Sequence, residues 1–356
     1  MQEAHVHPDT SVTLHTVPLP TLTSPHHILI QVHAAGCNPK DWKMPAGILQ
    51  TISDCPNSGD DVSGTIVALG SAAASTFRLG DRVAGLHELG APGGAYAEYA
   101  VVHDFSTFRV PDDWSFEKAA GLPMIAYMGA IAFLGMLRVV RGPWEVIAEG
   151  EERPLLVYGA ASGVGSMAVK FAVAMGVHPI ICVAGRGADF VEGIIDRSRG
   201  DAIVDYRSGS EETVQGIKTA LAGRKLSFAF DAVSDKDSFA NIARVLDDDE
   251  GRVTFVLPQV RGEFRREQQS NTMAGMLFKK LQSRHAGEDV GEMGGDCDGQ
   301  EFGYMASGVI ARWVASGKLV PHPFEVVNGG LAALEGSLKR LRDGKVSARK
   351  LVIKLK

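Results

Sequence analysis

Apolar positions change period twice along the chain. Up to about residue 125 they fall in short runs cut by glycine, proline and aspartate. Residues 28–34, 62–70, 82–85 and 96–102 read as strands, the last alternating after a glycine turn at Gly93 and Gly94. Short strands punctuated in this way predict a barrel-like β domain. Over 116–137 the recurrence becomes helical, with Pro123 near a helix boundary. From residue 155 strands and helices alternate. Leu155, Leu156, Val157 and Tyr158 form an apolar run that stops at a loop of small residues: Gly159, Ala160, Ala161, Ser162, Gly163, Val164 and Gly165. The loop opens directly into helical spacing. Further apolar strands follow at 179–184, 202–206, 228–233 and 252–258, with helical stretches between them. Strands buried on both faces read as continuous apolar runs, and βαβα alternation implies a doubly wound parallel sheet. Residues 261–303 are polar and glycine-rich, with one helix candidate near 273–281. Helices at 309–315 and 336–343 and an edge-like strand at 348–355 complete the reading.

Composition narrows the classes. A chain of 356 residues exceeds one ordinary core, so two domains are expected. A net charge of −6 argues against nucleic acid or an anionic membrane as the main partner. Cys37, Cys55, Cys182 and Cys297 have neither metal spacing nor a Cys-x-x-Cys pair. Reduced thiols in a cytoplasmic protein are the expectation. Residues 1–20 lack the pattern of a signal peptide, and no apolar run is read as long enough to span a bilayer.

The glycine loop is the first candidate for chemistry. Without Cβ atoms at 159, 163 and 165 the backbone can approach a ligand closely. The helix start beyond it offers unpaired N–H groups and a partial positive charge, which suits a pyrophosphate. The loop does not match Gly-x-Gly-x-x-Gly letter for letter, and a plain glycine turn is the competing reading. The alternation that follows favours a dinucleotide site. NAD-specific domains of this kind usually place an acidic residue after the second strand. Here that place holds Arg186, a fixed cation whose fork of donors suits a 2′-phosphate, so the expected coenzyme is NADPH (NADP+). An ordinary surface arginine is the alternative. Val256, Leu257 and Pro258, at the end of the fifth strand, are expected near the nicotinamide.

Several stretches share a further property. They are residues 34–43 (Ala-Ala-Gly-Cys-Asn-Pro-Lys-Asp-Trp-Lys), 59–64 (Gly-Asp-Asp-Val-Ser-Gly), 80–83 (Gly-Asp-Arg-Val), 93–99 (Gly-Gly-Ala-Tyr-Ala-Glu-Tyr), the glycine loop and 349–352 (Arg-Lys-Leu-Val). Their order and spacing resemble the medium-chain dehydrogenase/reductase superfamily over nearly the whole chain. Within it the chain is similar to the zinc-free quinone oxidoreductase branch, and most similar to fungal enoyl reductases that act in trans on polyketide synthases. The resemblance implies an α/β protein. A GroES-like β-barrel domain would occupy 1–125, a Rossmann NADPH-binding domain 126–315, and a C-terminal return to the first domain 316–356. It also implies an active-site cleft between the domains.

Zinc alcohol dehydrogenases share that fold. Aligned with them on Gly36, the first ligand position holds Asn38, and Gly59-Asp60-Asp61 stands at their Gly-His-Glu ligand motif. The cysteine cluster of their structural zinc site is also missing, so no metal is expected. By the same resemblance Asn38, Asp41 and Lys43 sit on the substrate-side wall. Lys43 is the candidate for enolate stabilisation or proton delivery, and Asn38 for a hydrogen bond at the nicotinamide or substrate. The competing reading is an Asp41–Lys43 ion pair that only fixes the loop. Tyr206 resembles the tyrosine that borders the adenosine phosphate in the zinc-free branch. Met128 stands where the family often has a threonine, soon after Leu122 and Pro123, and Tyr127 beside it would shape the substrate pocket. The implied function is NADPH-dependent, zinc-independent reduction of an activated C=C bond. The substrate would be a small-molecule or carrier-bound enoyl thioester, with a polyketide synthase as partner. Quinone or small-enone reduction and NADPH binding without catalysis are the alternatives. Monomer and homodimer are both open.

Overall fold

Alternating burial builds the first sheet. After a hairpin of Gln2–Val6 (β1) and Val12–Thr16 (β2), the chain enters His27–Gly36 (β3). There Ile28, Ile30, Val32 and Ala34 are fully buried at every second position. Asp61–Leu69 (β4), Arg82–Leu86 (β5), Tyr99–His103 (β6) and Thr107–Arg109 (β7) follow. β3 pairs antiparallel with both β4 and β6. Lys40–Lys43 (α1) leaves the end of β3, and Phe116–Ala120 (α2) and Pro123–Ala130 (α3) follow β7. A π-helical turn, Ile131–Met136, continues α3. The computed structural model describes residues 1–47, 55–145, 147–148, 150–257, 262–278, 284–285, 288–289 and 298–356.

The second sheet is parallel throughout, in the order β10-β9-β8-β11-β12-β13. Its strands are Leu155–Tyr158 (β8), Ile180–Val183 (β9), Ala202–Val204 (β10), Phe228–Asp231 (β11), Arg252–Phe255 (β12) and Gln269–Asn271 (β13). Gly163–Ala174 (α4), Ala188–Glu192 (α5), Ser210–Leu221 (α6) and Lys236–Ala243 (α7) lie between them in sequence. The chain goes from β8 to β9 on one side and returns to β11 on the other. Ligands of such sheets bind beyond the carboxyl ends of the strands flanking that reversal.

Gly299–Ala315 (α8) and Leu334–Arg342 (α9) belong with the first unit. So do the strands Phe324–Val327 and Lys350–Lys354. The two compact units are Met1–Ile125 with Gly299–Lys356, and Ala126–Asp298. The expected boundary at 315 therefore lies at 298. The reason is α8, which packs on the first unit: Ser307 Oγ donates to the Phe105 carbonyl at 2.8 Å, and Tyr304 OH to Asp104 Oδ1 at 2.9 Å.

Three other expectations change. Lys350–Lys354 is an interior strand, because Phe324–Val327 pairs with one side of it and β3 with the other. The candidate helix near 273–281 is a single 3₁₀ turn, Ala274–Leu277, and 279–281 lie outside the described residues. Phe116–Met136 does reach the length and mean hydropathy (1.7) of a membrane span, but 94% of that window is buried inside the protein. Its apolar character is accounted for by core packing.

Candidate functional site

In the second unit, the glycine loop after β8 leads into α4 as the sequence predicts. Ser162 caps the helix, its Oγ accepting from Gly165 N at 3.0 Å. Gly159 has φ +79°, and a Cβ at Gly165 would stand 2.3 Å from the Gly159 carbonyl oxygen. The loop is thus closed on itself so tightly that only glycine fits. The N–H groups of Gly163 and Val164 have no intrahelical acceptor at the helix start. Across the sheet reversal, Asp231 shapes the loop after β11. It accepts from Val233 N at 3.0 Å, Ser234 N at 2.8 Å and Ser238 Oγ at 2.6 Å. Ser234 Oγ in turn accepts from Val256 N at 3.0 Å, which ties the end of β12 to that loop. Leu257 follows directly, and Pro258 lies outside the described residues.

Arg186 emerges past the end of β9, exposed, with no carboxylate partner among the described residues. Tyr206 stands beside it. A Cβ on Gly185 would meet the Tyr206 ring at 2.8 Å, so the ring packs close against bare backbone while the residue stays 49% exposed. These features fit a dinucleotide with a 2′-phosphate: a helix start for the pyrophosphate, and an unpaired guanidinium with an exposed ring where the second strand ends. Tyr127 and Met128 are buried on α3.

In the first unit, the predicted residues lie in a buried ionic network. Asn38 Nδ2 donates to Asp61 Oδ2 at 3.0 Å, and Asn38 Oδ1 accepts from Lys350 Nζ at 2.8 Å. Lys350 also pairs directly with Asp61, whose other oxygen accepts from Met124 N at 2.6 Å. Asp41 Oδ2 accepts from Asn38 N at 2.7 Å and from Tyr96 OH at 2.5 Å. Its Oδ1 faces Lys40 Nζ at 3.0 Å, and Lys40 also pairs with Asp60. Asp41 is therefore paired with Lys40, not with Lys43. Lys43 is half-buried, and its ammonium has no carboxylate partner among the described residues; burial pulls its pKa below the ordinary lysine value.

Lys40, Asp60, Asp61, Tyr96 and Lys350 were not singled out from the sequence. Four of them sit inside the motifs quoted above for the resemblance, and Lys350 inside the terminal Arg-Lys-Leu-Val. Adjacent charges such as Lys40–Asp41 and Asp60–Asp61 give no periodic sign of which faces inward. Here all four do. Among the described residues, no group of three or more His, Cys, Asp or Glu is arranged to hold a metal ion. The buried carboxylates are instead met by ammonium groups. Cys37 and Cys182 form no disulfide, and burial pushes both thiols well up. Cys297 lies outside the described residues.

Burial pushes both Asp41 and Asp60 up to about 6, although Lys40 opposes the shift. The ordinary value is near 3.8. A carboxyl raised in the folded state contributes stability below its unfolded pKa and loses it as pH rises through the folded one. The relevant window is therefore pH 4 to about 6. Asp60→Asn removes one of the two groups. Its melting temperature relative to the wild type should shift in the variant's favour between pH 4 and 8. A difference that stays constant with pH would show that Asp60 titrates normally.

The family follows from comparison with known proteins. A family model described as the alcohol dehydrogenase GroES-like domain matches residues 24–112. The trans-enoyl reductase fsr4 of Gibberella fujikuroi is 38% identical, over 92% of this chain and 91% of its own. Among solved structures, CurK enoyl reductase matches with a TM-score of 0.73 at 17% identity, over 100% of this chain and 99% of its own. A quinone oxidoreductase of Pseudomonas syringae pv. Tomato matches with 0.72 at 18%, over 99% of each chain. Those two likenesses are of fold. The chain is an oxidoreductase of the medium-chain dehydrogenase/reductase superfamily, and within it belongs to the trans-enoyl reductase family.

Proposed function

We propose that this protein uses NADPH to reduce the activated C=C bond of an enoyl thioester, carried on a polyketide synthase carrier domain in the cytoplasm. The observation that carries this reading is the identity to a trans-enoyl reductase over nearly the full length of both chains. The N–H groups of Gly163 and Val164 would hold the pyrophosphate, Arg186 the 2′-phosphate, and Tyr206 the adenosine side. The coenzyme supplies a hydride to the β-carbon of the bound substrate. Negative charge then develops on the thioester oxygen, and a cation set in a partly desolvated place stabilises it strongly. Lys43 has that character, being half-buried and without a carboxylate partner among the described residues. Thr is absent at Met128, so that position offers bulk and no hydrogen bond.

Turnover tests the reading. A 2-butenoyl thioester should consume NADPH and yield the saturated thioester, while quinones should be poor acceptors. Fast NADPH loss with quinones and none with thioesters would replace this reading by quinone reduction. Tight NADPH binding with no acceptor consumed would make the protein a binder only.

A further inference from the structure

Asp231 ends β11, and the parallel register sets it opposite Tyr158 at the end of β8. It is fully buried at the sheet reversal. The loop it holds reaches both sides of that reversal. Ala232 N donates to the Tyr158 carbonyl at 2.9 Å, and a Cβ on Gly159 would meet Val233 Cγ2 at 2.5 Å. On the other side Ser234 Oγ accepts from Val256 N at the end of β12. All of these residues lie in the second unit.

The hydrogen bonds around Asp231 leave a place for one more proton. Its Oδ1 accepts from the backbone N–H groups of Val233 and Ser234. Its Oδ2 lies 2.6 Å from Ser238 Oγ, which lies 2.8 Å from the Asp235 carbonyl. The Ser238 hydroxyl therefore faces two acceptors with one hydrogen. A proton on Oδ2 serves both: Oδ2–H donates to Ser238 Oγ, and the Ser238 hydroxyl turns to the Asp235 carbonyl. The charged groups nearby do not balance the carboxylate. Tyr158 faces it from β8, and Asp235 and Asp237 stand at the start of α7, with Lys236 between them in sequence. Lys170 of α4 is placed over the Phe190 ring, 5.4 Å from its centroid, and Arg252 is at the opposite end of β12. No ammonium or guanidinium pairs with Asp231 among the described residues. Burial pushes its carboxyl up to about 6, although Ser238, Ser234 and Val233 donate to the ionised form.

We propose that Asp231 takes up one proton from solvent as NADPH binds, so that coenzyme affinity is linked to pH through this one carboxyl group. The inference rests on the NADPH reading given above. The coenzyme's phosphates bring negative charge to the glycine loop, which begins one residue past Tyr158, and a like charge disfavours an ionised carboxyl. The step forms one O–H bond at Oδ2 and consumes one solvent proton; nothing is oxidised or reduced. The loop gives the proton its way in, since Val233 is 40% exposed and Asp235 is exposed. Linkage is reciprocal, so the proton strengthens NADPH binding as much as NADPH strengthens proton binding. The added affinity is fully present below about pH 6 and is lost as pH rises through the higher pKa of the complex.

Calorimetry on the full chain tests this, with NADPH titrated in buffers of different ionisation enthalpy to count protons. Asp231→Asn keeps an oxygen for the two N–H groups and places an NH2 at Ser238 Oγ, copying the protonated form. The 2′-phosphate contributes its own protons equally to both proteins, so their difference isolates Asp231. At pH 6.5 the wild type should take up about half a proton more per NADPH than the variant, for a tenfold rise in proton affinity. From pH 5 to 8 the ratio of wild-type to variant dissociation constants should rise about tenfold. Infrared difference spectra of the wild type supply a measurement that needs no variant. NADPH should bring up the C=O stretch of a protonated carboxyl. Equal proton counts in two proteins that both bind NADPH overturn the proposal and leave the coenzyme reading intact, as does NADPH binding to the wild type with no new carboxyl band. A wild type that does not bind NADPH overturns both.

Discussion

Lys350→Met should cost the first unit about 3–5 kcal/mol, the usual penalty for stranding one charge of a buried pair. Lys350 is 5% exposed and Asp61 is not exposed at all. The ammonium touches Asp61 and the Asn38 amide oxygen, so its removal leaves an uncompensated carboxylate and an amide oxygen without its donor. The flanking residues amplify the effect. Leu351, Val352 and Ile353 are fully buried in the strand that joins the C-terminal segment to β3. Denaturant unfolding followed by tryptophan fluorescence reads this, because Trp42, Trp114 and Trp313 all lie in that unit. Adding Asp61→Asn to Lys350→Met removes the stranded charge and keeps an acceptor for Met124 N. The double variant should therefore recover most of the loss. A single-variant cost under about 1 kcal/mol would mean that the pair is hydrated and weak, as exposed pairs are.

This pair also shows where sequence reasoning stops. Lys350 and Asn38 are 312 positions apart in the chain yet share a hydrogen bond. Nothing in local periodicity links them. The run 348–355 reads as an edge-like strand because charged residues flank a short apolar core. The structure gives it neighbours on both sides, one of them the 4-residue strand Phe324–Val327, too short to stand out. By contrast β8, the glycine loop and α4 were legible, since the strand, the tight turn and the helix each leave a local mark. Arg186 was legible for the same reason: the end of an apolar strand is a local feature. The pairing of Asp41 with Lys40 was not, because spacing brings Lys40 and Lys43 to one face of a short helix and cannot say which ammonium turns inward. α8 was partly legible, as 309–315, while its first two turns carry the glycine and polar residues that hid its start and its true unit.

Arg186→Ala should weaken NADPH binding by about 1–3 kcal/mol, the range for a hydrogen bond to a charged group, and leave NADH nearly unchanged. That is roughly a 5- to 150-fold rise in the NADPH dissociation constant, given about 1.4 kcal/mol per factor of ten. The selectivity follows from the residue's position. Arg186 has no partner among the described residues to lose, so the apo protein should keep its stability and the whole effect should appear in binding. A second variant separates the parts of the site. Gly165→Val places atoms where even a Cβ would stand 2.3 Å from the Gly159 carbonyl, a backbone atom that cannot swing aside. The loop must open, and both NADPH and NADH should then be lost together. Calorimetry on the wild type and the two variants distinguishes the outcomes. Equal losses for both coenzymes in Arg186→Ala would place the guanidinium at the shared pyrophosphate. No loss for either would remove it from the site and return coenzyme preference to the loop after β10, where Arg207 is already engaged by Asp205. A Gly165→Val protein that still binds NADPH normally would mean that the loop tolerates an opening the packed backbone does not suggest, and the dinucleotide would then have to be held elsewhere along the sheet.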